Sequence, residues 1–344
     1  MPEAGYSRRL RTGTGLLKGG EFGLIQRIQG RFPSGDPAVL LGIGDDAAAL
    51  RPSPGKLLLV TVDTLREGVH FASAWKDPYS VGWKSAAVSL SDIAAMGGIP
   101  RFLLLSLALP VNIPDREISG LLRGIRKGLA PHKVTLVGGN LSRSGDGLSV
   151  DTVLIGEVEP DRLLTRSGAR PGDAIYVTGT LGDAAAGLEL LNQGAPATGY
   201  LTKRHLRPTP RLREGRLLAL RRLAASAVDL SDGLLRDLSH LCTRSRTGAR
   251  IDSRKLPLSP ALRRGLSRLD HDPIHYALSG GEDYEILFTV RPGKVRAVEV
   301  LGREAGTRMT RIGEITEARE GLTVLDSQGK VQKVKPEGFD HFRG

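Results

Sequence analysis

The sequence predicts an α+β fold with two domains. Its 344 residues are enough for two hydrophobic cores, and 40% hydrophobic with 25% charged residues is typical of a globular protein. The predicted strands do not alternate with single helices, which disfavours a doubly wound parallel sheet. A polar stretch with Pro and Gly at 159–172 separates the two halves. We therefore expect a basic tail at 1–20, an N-terminal domain at 21–158 and a C-terminal domain at 159–344.

In the first half, hydrophobic periodicity predicts three helices and five strands. The third helix should bury the stripe formed by Ile118, Leu121, Leu122, Ile125 and Leu129. The predicted helices are 21–28, 77–96 and one beginning at 114, and the predicted strands are 39–43, 56–63, 102–109, 134–137 and 148–158.

The second half begins with a strand and a glycine-containing turn that opens a helix. A hairpin turn is expected at 326–330, within the last predicted strand region at 322–334. The predicted strands are 174–177, 227–229, 285–290, 309–315 and 322–334. One helix is predicted to begin after 182, and three more are predicted at 211–223, 233–244 and 259–268.

Composition argues against several classes of protein. The single cysteine, Cys242, excludes an intrachain disulfide and a cysteine-based zinc site, and a reducing cytoplasm fits this composition. The longest apolar stretch, 102–111, is shorter than the roughly 18 residues of a membrane helix, and no apolar segment follows the basic start, so we expect neither a membrane span nor a signal peptide. The net charge of +12 suggests nucleic acid binding, but the arginines are spread along the chain and aromatics are only 4%, which favours anionic small-molecule substrates.

Acidic residues recur at strand ends and glycine turns. If these positions converge, they form a nest of hard oxygen ligands, which is the chemistry of magnesium and polyphosphate. The positions are Gly42-Ile43-Gly44-Asp45-Asp46, Thr61-Val62-Asp63, Ser91-Asp92, Gly138-Gly139-Asn140 and Asp229-Leu230-Ser231-Asp232-Gly233.

Simpler interpretations exist for each of these motifs. The Gly42 motif resembles a dinucleotide fingerprint, but Asp45 and Asp46 would point negative charge at a pyrophosphate. Each Asp could instead cap a helix, and Asp229 and Asp232 fit that role well. No P-loop and no protein-kinase signature occurs. Cys242 follows apolar residues at helical spacing, which indicates a core position rather than a nucleophile.

Taken together, the motifs resemble the thiamine-monophosphate kinase family of the aminoimidazole ribonucleotide synthetase superfamily. The resemblance covers about residues 20–342. It rests on the Gly42, Thr61 and Asp229 motifs, on Leu90 to Gly97, which contains Ser91-Asp92, and on two further stretches: Arg166 to Asp173 and Ser279-Gly280-Gly281-Glu282-Asp283-Tyr284-Glu285.

The resemblance implies a two-domain aminoimidazole ribonucleotide synthetase-like fold, with mixed sheets and helices packed on one face. It also implies a homodimer that uses ATP and several Mg²⁺ ions to convert thiamine monophosphate to thiamine diphosphate, without nucleic acid or membrane partners. The site residues implied are Asp46, Thr61, Val62, Asp63, Asp92, Asn140, Asp229 and Asp232 for metal, Gly139, Asn140, Arg166 and Ser231 for ATP, His70, Glu282 and Phe339 for thiamine monophosphate, and Asp63, Asp232 and Arg166 for catalysis.

The chain departs from the family pattern at two metal positions. Asn140 stands where the family commonly has Asp, and Val62 stands where it often has Thr. We therefore expect one metal position to be weaker. The acceptor phosphate is already anionic at neutral pH, because its second pKa is about 6, so direct transfer without a general base or a phosphoenzyme is expected. The alternatives are another ATP-using superfamily enzyme, a non-catalytic nucleotide-binding dimer, or a basic nucleic-acid binder.

Overall fold

A four-stranded sheet forms the centre of the first half of the chain. The computed structural model describes residues 20–75, 77–265, 268–336 and 338. Within them, the first half contains α1 (Gly20–Arg31), β1 (Val39–Leu41), β2 (Ala49–Leu50), β3 (Leu57–Arg66), α2 (Pro78–Ala95), β4 (Ile99–Pro110), α3 (Asp115–Leu129), β5 (Thr135–Ser144) and β6 (Ser149–Val158).

The order of strands in this sheet is β3-β6-β4-β5, and β4 and β5 form its parallel pair. Helix α2 lies on one face, so alternate residues of β3 point toward it, and the remaining ones point to the opposite face. That opposite face is open in a single chain: Leu58, Val60 and Val62 are 54%, 66% and 67% exposed. This open face is the largest apolar feature of β3.

A seven-stranded sheet forms the centre of the second half. Its strand order is β13-β12-β9-β11-β7-β10-β8, antiparallel except between β9 and β12. The elements of this half are β7 (Ala174–Thr178), α4 (Asp183–Asn192), α5 (Tyr200–Leu206), α6 (Leu212–Leu220), β8 (Ala224–Asp229), α7 (Leu234–Ser245), β9 (Thr247–Asp252), α8 (Pro260–Arg264), α9 (Pro273–Ser279), β10 (Ile286–Val290), α10 (Val295–Ala305), β11 (Met309–Glu317), β12 (Leu322–Leu325) and β13 (Val331–Lys333).

Helix α2 joins the two halves because it packs closely on both. Asp77 caps its first turn by accepting the Ser80 N–H at 3.0 Å. A Cβ on Gly124 of α3 would lie 1.9 Å from the Tyr79 carbonyl oxygen, and a Cβ on Gly215 of α6 would lie 1.9 Å from the Ala94 carbonyl oxygen. Only glycine allows such close contact between helices. The larger apolar cluster accordingly contains residues from both halves, so the expectation of a separate core for each half is wrong for this cluster.

Most predicted elements are present, including the buried stripe of α3. Two differences matter for the site. Gly138-Gly139-Asn140 lies inside β5 rather than in a turn, and Asp63 lies in the middle of β3 rather than at its end. The helices α5, α9 and α10 and the strand β9 were not expected. Among the helices of the described residues, none combines the length and the apolar character that a membrane crossing requires.

Candidate active site

Three carboxylates from three different elements meet where the two halves touch. Asp63 comes from β3, Asp92 from the last turn of α2 and Asp229 from the end of β8. Hydroxyl groups hold each of them: Ser89 donates to Asp63 at 2.6 Å, Ser91 donates to Asp229 at 2.8 Å, and Thr61 donates to Asp92. We call Asp63, Asp92 and Asp229 the carboxylate cluster.

The carboxylate cluster is short of positive charge. Burial and the nearby Asp92 raise the pKa of Asp63 to about 6. Burial, followed by the charges of Asp92 and Asp63, raises the pKa of Asp229 to about 7. Burial also raises the pKa of Asp92, and Thr61 and Arg166 offset this only in part. Crowded carboxylates with a hydroxyl among them are the donor set that a hard divalent cation prefers, so these residues fit Mg²⁺.

A cavity of about 580 Å³ opens beside the carboxylate cluster. Its lining combines apolar side chains with two arginines, Arg166 and Arg244. Such a combination suits a ligand with a flat apolar part and a polyanionic part. The lining residues are Val60, Thr61, Asp92, Ala95, Met96, Leu164, Thr165, Arg166, Ser167, Ala227, Val228, Asp229 and Arg244.

Two loops of the second half pair with each other at the edge of this site. The N–H of Glu282 donates to the Ser231 carbonyl at 2.8 Å, and the N–H of Tyr284 donates to the Leu230 carbonyl at 2.9 Å. Glu282 and Tyr284 have φ angles of +68° and +51°, where non-glycine residues carry strain of about 1–3 kcal/mol each. Strain of this kind persists where surrounding structure enforces it.

Buried ion pairs enforce that loop conformation. Both Glu285 oxygens accept from Arg211 at 2.6 Å, and Arg204 donates to Glu285 at 2.9 Å. Asp283 accepts the backbone N–H of Gly182 at 2.6 Å. These contacts fix Asp283, which lies between Glu282 and Tyr284, and Glu285, which follows Tyr284.

Asp232 lies in a second acidic group with Asp237 and His240, whose ligand atoms lie within 4.8 Å of one another. Asp237 accepts the backbone N–H groups of Asp232 and Gly233 at 3.1 and 3.2 Å, so it shapes the turn that carries Asp232. Burial and the charges of Asp229 and Asp232 raise the pKa of Asp237 well above its usual value. Asp237 therefore holds the backbone of the predicted metal ligand Asp232 in place.

The predicted residues on β5 lie at the opposite edge of the sheet from Asp63. The pairing runs from Asp63 to Thr152, then to Leu105 and Gly139, which is three strand spacings or about 14 Å. Gly139 has φ +155°, and a Cβ there would lie 1.8 Å from the Leu105 carbonyl oxygen, so only glycine fits. The next residue, Asn140, is exposed. A single chain does not bring it to the carboxylate cluster.

The remaining predicted residues divide in the same way. Asp46 is exposed, and its turn begins beside β5, where the Cβ position of Gly42 is 3.9 Å from the Val137 carbonyl oxygen. Val62 points to the open face of the sheet. His70 follows β3, and its Nδ1 accepts the Arg66 N–H at 3.1 Å. Phe339 lies outside the described residues.

The structure also brings into the site residues that sequence reasoning did not assign to it. Ser89 lies one helical turn before Asp92. The two serines close to Asp92, Ser89 and Ser91, were the available signal in the sequence. Tyr284, two residues after the predicted Glu282, is buried, and burial followed by the charge of Glu282 raises its pKa well above the usual value. Lys84 forms an ion pair with Glu282, and Arg244 lines the cavity. In the sequence both resemble ordinary surface residues of helices, and no pattern indicated a role for them.

Comparison with known proteins identifies the family. The N-terminal domain of AIR synthase related proteins matches residues 44–158, and the C-terminal domain of the same proteins matches residues 170–325. The thiamine-monophosphate kinase of Escherichia coli (strain K12) is 43% identical over 328 residues, which are 94% of this chain and 98% of that protein. The chain belongs to the thiamine-monophosphate kinase family. The predicted membership and the predicted α+β fold are thereby confirmed.

Other thiamine-monophosphate kinases agree with this assignment. The Aquifex aeolicus protein is 41% identical over 327 residues, covering 94% of this chain and 98% of its own length. The crystal structure of the Stenotrophomonas maltophilia K279a enzyme matches with a TM-score of 0.80 and 42% identity, over 88% of this chain and 96% of that chain. A structure described as AaThiL complexed with AMPPCP and TMP matches with a TM-score of 0.75 and 38% identity, over 98% of this chain and 100% of that chain. These matches extend across both halves of the chain.

Proposed function

We propose that this chain transfers the terminal phosphoryl group of ATP to thiamine monophosphate and so produces thiamine diphosphate and ADP. The observation that carries the proposal is the carboxylate cluster, two of whose members line a cavity together with apolar residues and two arginines. A family member of 38% identity is described as a complex with AMPPCP and TMP, which supports the same pair of ligands here. The established family makes this reading stronger than the sensor or nucleic-acid alternatives.

Several Mg²⁺ ions would be held by Thr61, Asp63, Asp92 and Asp229, with Asp232 at the adjoining turn. When bound, these ions neutralise the phosphate oxygens of both substrates. The raised pKa values of Asp63 and Asp229 support this assignment, because carboxylates that repel one another gain most from a cation.

The chain's own residues orient the reactants rather than exchange protons with them. The acceptor phosphate is largely ionised at neutral pH, so no general base has to generate the nucleophile. Arg166 lines the cavity beside Asp92 and Asp229, where a guanidinium would stabilise negative charge on the transferred group. Gly139 and Ser231 complete the proposed ATP contacts. We propose direct transfer, and trapping a phosphorylated residue during turnover would contradict it.

A homodimer would complete the metal site. Asp63 and Asn140 lie at opposite edges of one sheet, about 14 Å apart by strand spacing. The open face with Leu58, Val60 and Val62 needs a cover, and a second copy supplies an equivalent apolar face. In such a dimer, Asn140 of the partner subunit and Asp46 of the partner subunit can approach the carboxylate cluster, with Val62 offering its backbone carbonyl.

The remaining assignments are part of the same proposal. His70, Glu282 and Phe339 would contact thiamine monophosphate. The chain would divide into a tail at 1–20 and domains at 21–158 and 159–344, and the protein would act in the cytoplasm, where both substrates and a reducing environment are found.

The decisive experiment supplies Mg²⁺ and ATP with three acceptors: thiamine monophosphate, unphosphorylated thiamine and none. We expect ADP and thiamine diphosphate only with thiamine monophosphate. ATP binding without any acceptor-dependent ADP would favour a nucleotide sensor, and transfer to thiamine itself would show that the acceptor is not a phosphate. Strongly salt-dependent binding to unrelated DNA would favour the nucleic-acid alternative.

A further inference from the structure

Lys84 and His205 form a buried charged group with Glu282, and of these three residues only Glu282 has a proposed contact with substrate. Lys84 of α2 and His205 of α5 are 3% and 1% exposed. The Lys84 Nζ lies 2.5 Å from Oε1 of Glu282, and the His205 Nδ1 lies 3.0 Å from Oε2 of the same carboxylate. The Lys84 Nζ is also 3.5 Å from the His205 Nε2. Each Glu282 oxygen therefore has one fixed nitrogen partner.

The protonation of this group follows from its contacts. An ammonium group only donates, so a hydrogen bond from Lys84 to the His205 Nε2 makes that nitrogen the acceptor and leaves the ring proton on Nδ1, toward Glu282. Burial and the Lys84 charge lower the pKa of His205, which agrees with a neutral ring. Burial alone would raise the pKa of Glu282, but Lys84 and His205 lower it below its usual range. The His205 N–H is poorly aligned with Oε2, as in many sites that tighten when substrate binds.

The group therefore carries no net charge but still has free acceptor capacity. Lys84 is positive, Glu282 negative and His205 neutral. A carboxylate oxygen can accept two hydrogen bonds, and the Glu282 side chain remains 24% exposed, so it can receive one more donor from the site. A neutral group of this kind favours an N–H donor over a cation that has no hydrogen to give.

The position of the group fits the far end of the same substrate. Lys84 and Ser91 are seven residues apart on α2, which places them on one face with about 10 Å between them. Ser91 holds Asp229 of the carboxylate cluster. The N–H of Tyr284 donates to the carbonyl of Leu230, the residue after Asp229, at 2.9 Å, so the backbone two residues after Glu282 lies against the end of β8 that carries Asp229. A molecule with a phosphate at one end can span this distance.

We infer that Lys84 and His205 are positioning residues. They orient Glu282 so that its carboxylate accepts a hydrogen bond from the amino group on the pyrimidine ring of thiamine monophosphate. The inference rests on the proposed function. The thiazolium nitrogen of that substrate is fully substituted and carries no N–H, whereas the pyrimidine amino group does. Lys84 acts only through Glu282, because its ammonium group is paired with that carboxylate.

The test compares Lys84→Met, Glu282→Gln and the double variant. Loss of a hydrogen bond to a charged acceptor weakens binding roughly ten- to a hundred-fold, so we expect the KM for thiamine monophosphate to rise by that factor in Lys84→Met. The KM for ATP should stay within two-fold. In the Glu282→Gln background, Lys84→Met should change the KM for thiamine monophosphate by less than two-fold, because its partner is already gone. The double variant leaves no unpaired buried charge. Its KM for thiamine monophosphate can therefore be compared with that of Glu282→Gln even if Lys84→Met alone fails to fold.

Arg101→Met is the matched control. Arg101 donates to the buried Glu157 at 3.1 Å, at a pair in β4 and β6 that lies outside the proposed site. This control should lower thermal stability and leave both KM values within two-fold. If Arg101→Met raised the KM for thiamine monophosphate as Lys84→Met does, general destabilisation would explain both and the inference would fail.

A substrate fragment identifies the group that Glu282 recognises. The thiazole phosphate part of thiamine monophosphate, which lacks the pyrimidine, should inhibit wild type and Lys84→Met with the same inhibition constant. An inhibition constant that rises in parallel with the KM, or a Lys84→Met effect that persists in the Glu282→Gln background, would overturn the inference. If wild type forms no thiamine diphosphate at all, the proposed function itself has failed.

Discussion

Replacing Asp229 by asparagine should make the metal-free protein more stable while it removes activity. Asp229 is the most deeply buried member of the carboxylate cluster, and its pKa is raised from 3.8 to about 7. Carrying the charge in the folded state above pH 7 therefore costs roughly 4 kcal/mol, at about 1.36 kcal/mol for each pH unit between the two values. Asparagine has the same shape, has no charge, and can still accept the Ser91 hydroxyl.

The sign of the pH dependence is opposite to that of a paired surface carboxylate. Below pH 4 both folded and unfolded states hold the Asp229 proton, so the substitution changes little. Between pH 4 and 7 the unfolded state loses this proton first, and wild-type stability falls as the pH rises. The stability gained by Asp229→Asn should therefore grow through this interval and be complete above pH 7.

Thermal unfolding in EDTA at pH 5 and pH 8 measures this directly. We expect Asp229→Asn to raise the Tm by several degrees at pH 8, and by less at pH 5. Asp252→Asn is the control, because hydrogen bonds from Arg254 lower the pKa of Asp252 to about 2, so its loss should destabilise. Adding Mg²⁺ should stabilise wild type more than Asp229→Asn. A lower Tm of Asp229→Asn at pH 8 in EDTA would refute the reasoning, and equal Mg²⁺ stabilisation of both proteins would remove Asp229 from the metal site.

Three further predictions concern metal, packing and assembly. Because protons compete with Mg²⁺ for Asp229, half-saturation of activity should need more Mg²⁺ at pH 6 than at pH 8, and identical titrations would contradict this. Gly124→Ala should destabilise the protein by more than about 3 kcal/mol in urea unfolding, since its Cβ would lie 1.9 Å from the Tyr79 carbonyl oxygen; a loss below about 1 kcal/mol would show that the helices separate easily. If the protein forms the proposed homodimer, analytical ultracentrifugation should show a monomer for Leu58→Glu and a dimer for wild type and for Leu220→Glu, at a similarly exposed residue of the other half; a monomeric wild type or a dimeric Leu58→Glu would contradict this.

The carboxylate cluster was predictable because its members follow a local rule. Asp63 and Asp229 follow runs of apolar residues that indicate strands, and Asp92 lies near the glycines that end a helix, so each position could be identified without a partner. The helix α3 was equally clear, since its apolar stripe has helical spacing over four turns. Local patterns of this kind need no knowledge of how the two halves pack.

The parts that sequence reasoning missed depend on long-range pairing. Two adjacent glycines indicated a turn at Gly139, whereas the reason for glycine is the Leu105 carbonyl of a neighbouring strand. Lys84, His205 and Glu282 are far apart in sequence, and a lysine in a helix normally faces solvent. The separation of Asn140 from Asp63 follows from strand order, which no local pattern specifies.

The most direct test of the account is the ratio of thiamine diphosphate formed to ATP consumed, measured side by side for wild type and Asp229→Asn at saturating Mg²⁺. We predict one thiamine diphosphate for each ATP in wild type, and a turnover reduced by at least a hundred-fold in a folded Asp229→Asn. ATP consumption without thiamine diphosphate in wild type, or wild-type turnover in Asp229→Asn, would contradict the claim that the carboxylate cluster is the centre of phosphoryl transfer.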